Sequence, residues 1–190
     1  MVCRVKKFIK KRKFKDTYIK IKKICNFEVT MMKVNIITKK SFSVIGKLGQ
    51  GLASDSINWI QALWEDANNN FNEIGNLAKI DNKGNISGIW GIMSDADEKF
   101  APWEEEGKYL AGCEVEDNAK APEGWIKWIV PSYKYAVIKC TQNTYANTFN
   151  YMMEEYLPKE EYSLVGAIHE FYDPKDSNGE LSLYFPIEKL

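Results

Sequence analysis

The sequence predicts an α+β fold: two strand-helix-strand-strand units in tandem, an antiparallel sheet, two helices, and a cleft between halves related by a pseudo-twofold axis. Three observations predict it. Two amphipathic helical stretches are each preceded by a pair of short β-branched bursts. Each is then followed by two strand-like runs, so one element order occurs twice. Hydrophobic residues make up 45% of the 190 and aromatic residues 13%, enough to fill a packed core.

The first unit begins with "VNIITKKSFSVIGKL", residues 34–48, two strand bursts around the polar turn Lys39-Lys40-Ser41. A helix follows in "SDSINWIQALWEDANNNFNEI". Ile57, Ile60, Leu63, Trp64, Ala67, Phe71 and Ile74 recur there at helical spacing, and Ser54 or Ser56 suits the N-cap. "DNKGN" is a turn, and the runs 86–94 and 108–116 are strands joined by the acidic loop "DADEKFAPWEEEG". In the second unit, "WIKWIVPSYKYAVIKC" (125–140) again holds two bursts, around Pro131-Ser132. "TYANTFNYMMEEYLP" is a helix with Tyr145, Phe149, Met152, Met153 and Tyr156 near one face, stopped at Pro158. "YSLVGAIHEFY" and "LSLYFPIE" supply the last two strands. Residues 33–190 thus form the domain, with halves at about 33–118 and 124–190. The repeat rests on element order rather than on identity between the halves.

A net charge of zero conceals an asymmetry. Residues 1–33 carry twelve Lys and Arg against two acidic residues, and the rest of the chain is correspondingly acidic. We expect residues 1–32 to be a disordered basic tail or an over-extended start, since strand pattern begins directly after Met31-Met32. Nucleic-acid binding would rest on that tail alone. No apolar run reaches membrane-spanning length, and no apolar stretch follows the basic N-terminus as a secretory signal would. Cys3, Cys25, Cys113 and Cys140 include no C-x-x-C pair and there is one histidine, which argues against a metal site and for a cytoplasmic location. There is no glycine-rich phosphate loop and no nucleophile elbow, so no cofactor is expected.

The stretch "LVGAIHEFYDPKD" holds the chemistry. Glu170 stands inside an otherwise apolar strand, where an unpaired charge is costly. Period-two alternation puts Gly166, Ile168, Glu170 and Tyr172 on one face and Val165, Ala167, His169 and Phe171 on the other. If the helices cover one face, the Glu170 face is left to line the cleft. A carboxylate beside a phenol ring suits a cationic aromatic ligand; a solvated edge position or a lysine partner is the plainer alternative. Trp59 and Trp64, on the first helix, read as core. Trp90, on a strand, and Trp103, in the acidic loop, are placed to wall a pocket. Tyr109, Tyr133 and Tyr135 suit packing or ligand contact equally. His169, alone on the opposite face, reads as a core or surface histidine rather than a base.

The segments "ALWEDANNNFNEI", "KYLAGCEVE", "APEGWIKWIVPSYKYAVIKC", "EEYLPKEEYSL", "HEFYDPKD" and "LYFPIEKL" occur in the order and spacing of a known family. The chain resembles the GyrI-like, or AraC-type, effector-binding domain, and above all its stand-alone, integron-associated members, over about residues 33–190. The resemblance implies the duplicated fold and an aromatic cleft between the halves, with a central acid for cationic amphipathic ligands. The E-x-Y-D segment maps that acid to Glu170, with Tyr172 following it; His169 stands where many relatives carry an aromatic residue.

On this reading the chain is a stand-alone small-molecule binder, in which Glu170 supplies charge and Tyr172, Trp90, Trp103 and Tyr109 supply aromatic walls. The alternative is a hydrolase of reactive electrophiles, which the resemblance also implies for some members. Glu170 would then be catalytic, helped by a tyrosine or by a second acid such as Glu114. An exposed protein-interaction surface is a third possibility.

Overall fold

The computed structural model describes residues 33–176 and 178–190. The expectations for the basic tail, 1–32, lie outside the described residues. Eight strands form one antiparallel sheet: β1 (Val34–Lys39), β2 (Phe42–Leu52), β3 (Ile89–Asp95), β4 (Glu106–Val115), β5 (Ile126–Val130), β6 (Tyr133–Thr141), β7 (His169–Tyr172) and β8 (Glu180–Lys189). Helix α1 (Ser56–Asn69) falls in the first half. Helix α2 (Tyr145–Tyr151) runs through a π-helical turn, Met152–Tyr156, into α3 (Leu157–Lys159) in the second. Among the described residues no helix is long and apolar enough to cross a membrane.

The spatial order is β1-β6-β8-β7-β3-β4-β2-β5. It reads symmetrically about the β7–β3 junction, because β6-β8-β7 mirrors β2-β4-β3. The outermost strands are exchanged. β1 leads into β2 yet pairs with β6, and β5 leads into β6 yet pairs with β2. The two bursts that open each half are therefore not hairpins; each short first strand closes the edge of the other half.

Three elements differ from the sequence expectation. Helix α1 is entered through a 3-10 turn, Ala53–Asp55, which makes Asp55 its N-cap instead of either serine. The second helix runs one residue past Pro158. A proline removes one helical N–H and crowds the carbonyl four residues before it, and the wider π-turn just upstream absorbs both effects. The strand expected over 162–172 is paired only from His169 onward. Continuing the ladder would bring Ala167 opposite Pro186, which has no N–H to donate. The Ala167 N–H bonds the Phe100 carbonyl instead, at 2.7 Å.

The two sheet faces are distinct. Alternation along β3 and β4 sends Trp90, Ile92 and Leu110 to one side, where they meet Phe42, Val44, Trp128 and Val130 in a buried cluster. The sheet curls over this side. Lys39 of β1 reaches Glu114 of β4 at 3.0 Å, and Phe100 packs between Trp128 and His169. Paired glycines allow the curl: Gly46 lies opposite Gly112, and a β-carbon on Gly112 would sit 2.0 Å from the Ile45 carbonyl oxygen. The helices cover the other side. Trp59, Ile60, Leu63 and Trp64 of α1 pack on Tyr109 and Ala111, and Phe149 of α2 meets Phe185.

His169 is fully buried on the curled side, and its Nδ1 accepts the Met93 N–H at 3.4 Å. Burial keeps the imidazole neutral, moving its pKa from the ordinary 6.5 down to about 3.

Two outcomes follow. Gly112→Ala has no room on either strand, and urea unfolding should show a loss of about 2 kcal/mol or more. Because the folded state holds His169 deprotonated and the unfolded state takes up a proton, stability is full above pH 6.5 and falls as the pH drops towards 3. His169→Phe should flatten that part of the stability–pH profile; an unchanged acid slope would show that His169 does not set it.

Candidate functional site

The β7–β3 register decides which side chains meet. Gly91 lies opposite Glu170 and Trp90 opposite Phe171. Glu170 therefore shares its face with Gly91 and, across β4, with Ala111 and Tyr109. This is the helix-covered face, so the expectation that Glu170 looks away from the helices is corrected. Alternation shows what shares a face within one strand but not which face a helix will take.

Glu170 is 7% exposed and sits on an interior strand between β8 and β3. Three phenols hold its carboxylate. Tyr109 donates to Oε2 at 2.5 Å, Tyr172 to the same oxygen at 2.8 Å, and Tyr145 to Oε1 at 2.8 Å. The Trp64 indole N–H donates in turn to the Tyr109 hydroxyl at 3.0 Å. Burial, and after it the Glu170 charge, raises the pKa of all three phenols, so they remain protonated donors. No lysine or arginine pairs with Glu170 among the described residues.

Four elements contribute. Tyr109 comes from β4, Tyr172 from β7, Tyr145 from the first residue of α2, and Trp64 from the middle of α1. Trp64 stands edge-on to both Tyr109 and Tyr172, with ring centres 6.2 and 5.2 Å away. Further out, Trp59 stacks on Trp103 at 5.6 Å and meets Tyr109 edge-on. The result is a buried carboxylate inside an aromatic enclosure, roofed by both helices. The arrangement sets a carboxylate among aromatic rings, both of which attract cations.

Of the residues singled out from sequence, the structure brings Glu170, Tyr172 and Tyr109 together and sets Trp103 at the rim. Trp90 is corrected: it is 2% exposed on the opposite face, packed among Phe42, Phe171 and Tyr184 in the core. Its register with Phe171 sends it there. Glu114, the suggested second acid, also faces the curled side, held by Lys39 at 3.0 Å and Lys79 at 3.8 Å. It cannot assist Glu170. Sequence pattern places Tyr145 on the apolar face of the second helix and Trp64 in the core, and does not single out either as a site residue. A phenol on an apolar helix face was the available signal, since a buried hydroxyl needs a partner. A cavity of about 220 Å³ lies elsewhere, beside Lys39, Lys79, Glu114 and Asp117, and includes none of the Glu170 network. Among the described residues no three metal-ligating side chains cluster.

Comparison with known proteins agrees with this architecture. A family model described as integron-associated effector binding protein matches residues 35–187. The transcriptional regulator BrlR of Pseudomonas aeruginosa is 28% identical over 172 residues, covering 86% of this chain. The chain spans 58% of that regulator's length. An integron cassette protein from the mobile metagenome of Vibrio cholerae superposes with a TM-score of 0.56 at 18% identity, over 83% of this chain and 97% of that one. The structure of SAV2435 bound to tetraphenylphosphonium superposes with a TM-score of 0.60 at 15% identity, over 83% of this chain and 94% of that one. At these identities the two structures establish the shared fold.

The hydrogen-bond pattern makes the tyrosines unequal. Tyr145→Phe leaves Oε1 without its donor and should cost about 1–2 kcal/mol in urea unfolding. Tyr172→Phe leaves Oε2 still held by Tyr109 and should cost less. The reverse order would show that Tyr145 does not hold the carboxylate.

Proposed function

The chain belongs to the family of integron-associated effector binding proteins, and from that premise we propose that it binds cationic, aromatic small molecules, with Glu170 as the charged anchor. Tyr109, Tyr145, Tyr172 and Trp64 form the inner walls. The observation that carries the proposal is the buried Glu170 carboxylate, which among the described residues has three neutral donors and no cation. Hydrogen bonds from phenols satisfy its lone pairs but leave its charge uncompensated in a low-dielectric setting. An arriving cation would supply that compensation.

The same arrangement favours a particular kind of cation. A quaternary ammonium or a phosphonium has no N–H or O–H to donate, so it does not compete with the tyrosines for the carboxylate lone pairs. It gains from the negative charge and from the faces of the surrounding rings at once. A small hydrated ammonium would lose more water and fill less of the enclosure. Tyr145, at the start of a helix, and Tyr172 are only partly buried, which makes them the members best placed to swing aside. The tetraphenylphosphonium held by the fold relative SAV2435 belongs to this chemical class.

Titration of tetraphenylphosphonium into the protein, followed by tryptophan fluorescence, tests the reading. Wild type should show saturable quenching in the micromolar range, and Glu170→Gln should weaken binding by at least about tenfold, equivalent to about 1.4 kcal/mol. Equal affinities would remove Glu170 as the anchor. No binding to wild type would contradict the cationic-ligand reading itself.

A further inference from the structure

The enclosure continues outward as a flat slot. Gly51 of β2 lies opposite Gly107 of β4, and both face the helix side. An indole rests on each. A β-carbon on Gly51 would meet the Trp59 ring nitrogen at 2.6 Å, and one on Gly107 would meet the Trp103 ring at 2.2 Å. Two glycines thus replace side chains with bare backbone, and two stacked indoles fill the space.

The two indoles are held differently. Trp59 is carried by α1 and donates its N–H to the Leu52 carbonyl at 3.1 Å. Trp103 lies in the β3–β4 loop, and its buried ring N–H has no partner among the described residues. The loop is pinned on both sides of it. The Asp95 N–H donates to the Ala101 carbonyl at 3.1 Å, the Asp95 carboxylate accepts the Ala101 N–H at 3.2 Å, and the Ala53 N–H donates to the Glu105 carbonyl at 2.9 Å. Between those points, Pro102 and Glu104 are exposed and Trp103 is half-buried. The Trp103 ring therefore fills a shaped slot without a hydrogen bond to keep it there, and leaving would free its N–H to bond water.

We propose that Trp103 is a resident ring, occupying in the free protein the slot over Gly107 that the distal aromatic group of an elongated cationic ligand takes. This rests on the reading of Glu170 as the cation anchor. Gly91 faces Glu170, and Asp95 faces Gly107, four residues further along β3. The slot is thus about 13 Å from the anchor along the strand. A ligand whose ring adjoins its charge never reaches it, whereas a cation with a ring at the end of a long apolar arm does. Trp103 then sets specificity by ligand length, and ligands that use the slot bear the cost of displacing it.

Two probes separate this from the anchor reading: benzyltrimethylammonium, and a trimethylammonium carrying a phenyl ring at the end of an octyl chain. Calorimetric affinities are compared for wild type, Trp103→Ala and Glu170→Gln. Trp103→Ala should tighten the long cation about five- to tenfold and leave the short one within about twofold, while Glu170→Gln weakens both. A long cation that binds Trp103→Ala more weakly, or no differently, overturns the proposal and leaves the anchor intact; so does equal tightening of both probes. If neither probe binds wild type, the anchor fails and the slot proposal with it. A ligand-free readout stands beside these. Gly107→Ala should expel the indole and raise acrylamide quenching of tryptophan fluorescence, and unchanged quenching would overturn the claim that the glycine makes the slot.

Discussion

The hydrogen bonds from Tyr109, Tyr145 and Tyr172 to Glu170 are the interaction on which the rest of this structure turns. A carboxylate buried beneath the helices is largely cut off from bulk water, so its charge and lone pairs must be met by what the fold brings to it. Here the donors come from both halves. Tyr109 belongs to the first unit, Tyr145 and Tyr172 to the second, and Trp64 of α1 braces the Tyr109 hydroxyl. The network therefore ties each helix to the β7–β3 junction, where the pseudo-twofold halves meet. Among the described residues it satisfies hydrogen bonding without supplying a positive charge, and the proposed cation binding rests on that imbalance.

Around this centre, glycine and aromatic residues divide the work between the faces. The Gly46–Gly112 pair brings β2 and β4 close enough for the sheet to curl, and the curled side is filled by Trp90, Trp128, Phe171 and a neutral His169. Gly51, Gly91 and Gly107 keep the other side low beneath α1, so that whole rings lie against backbone. At Gly91 a β-carbon would fall 1.8 Å from the Tyr109 hydroxyl oxygen, so the shortest bond to Glu170 depends on that position having no side chain. One side of the sheet is a sealed core. The other is an enclosure built from the same residue types, around a charge.

Much of this was legible in the sequence. Element order gave both units, helical spacing gave both helices, although Ile57 is left exposed and Phe71 and Ile74 fall beyond the end of α1, and a lone acid within an apolar strand marked the candidate site. What was not legible depended on register between strands far apart in the chain. Trp90 and Glu170 share the helix-covered face or do not according to a β3–β7 pairing that no local pattern specifies. The exchange of β1 and β5 was hidden for the same reason: two bursts around a polar turn look like a hairpin whichever strand each one joins. The short β7 was concealed by its partner, since Pro186 stops the ladder from the opposite strand. Tyr145 was visible as a helix residue but not as a ligand of the carboxylate, because its partner lies on a strand reached only through folding.

As a member of the integron-associated effector binding family, the chain shares its fold with proteins of quite different sequence. The central claim concerns charge rather than shape, and one measurement separates the two. Tetraphenylphosphonium and tetraphenylborate have nearly the same size and surface and opposite charge. Side-by-side equilibrium titration of the wild-type protein should show the phosphonium preferred by on the order of a hundredfold or more, since the carboxylate attracts one ion and repels the other. Equal affinities, or a preference for the borate, would contradict the account and reduce the enclosure to an apolar cleft.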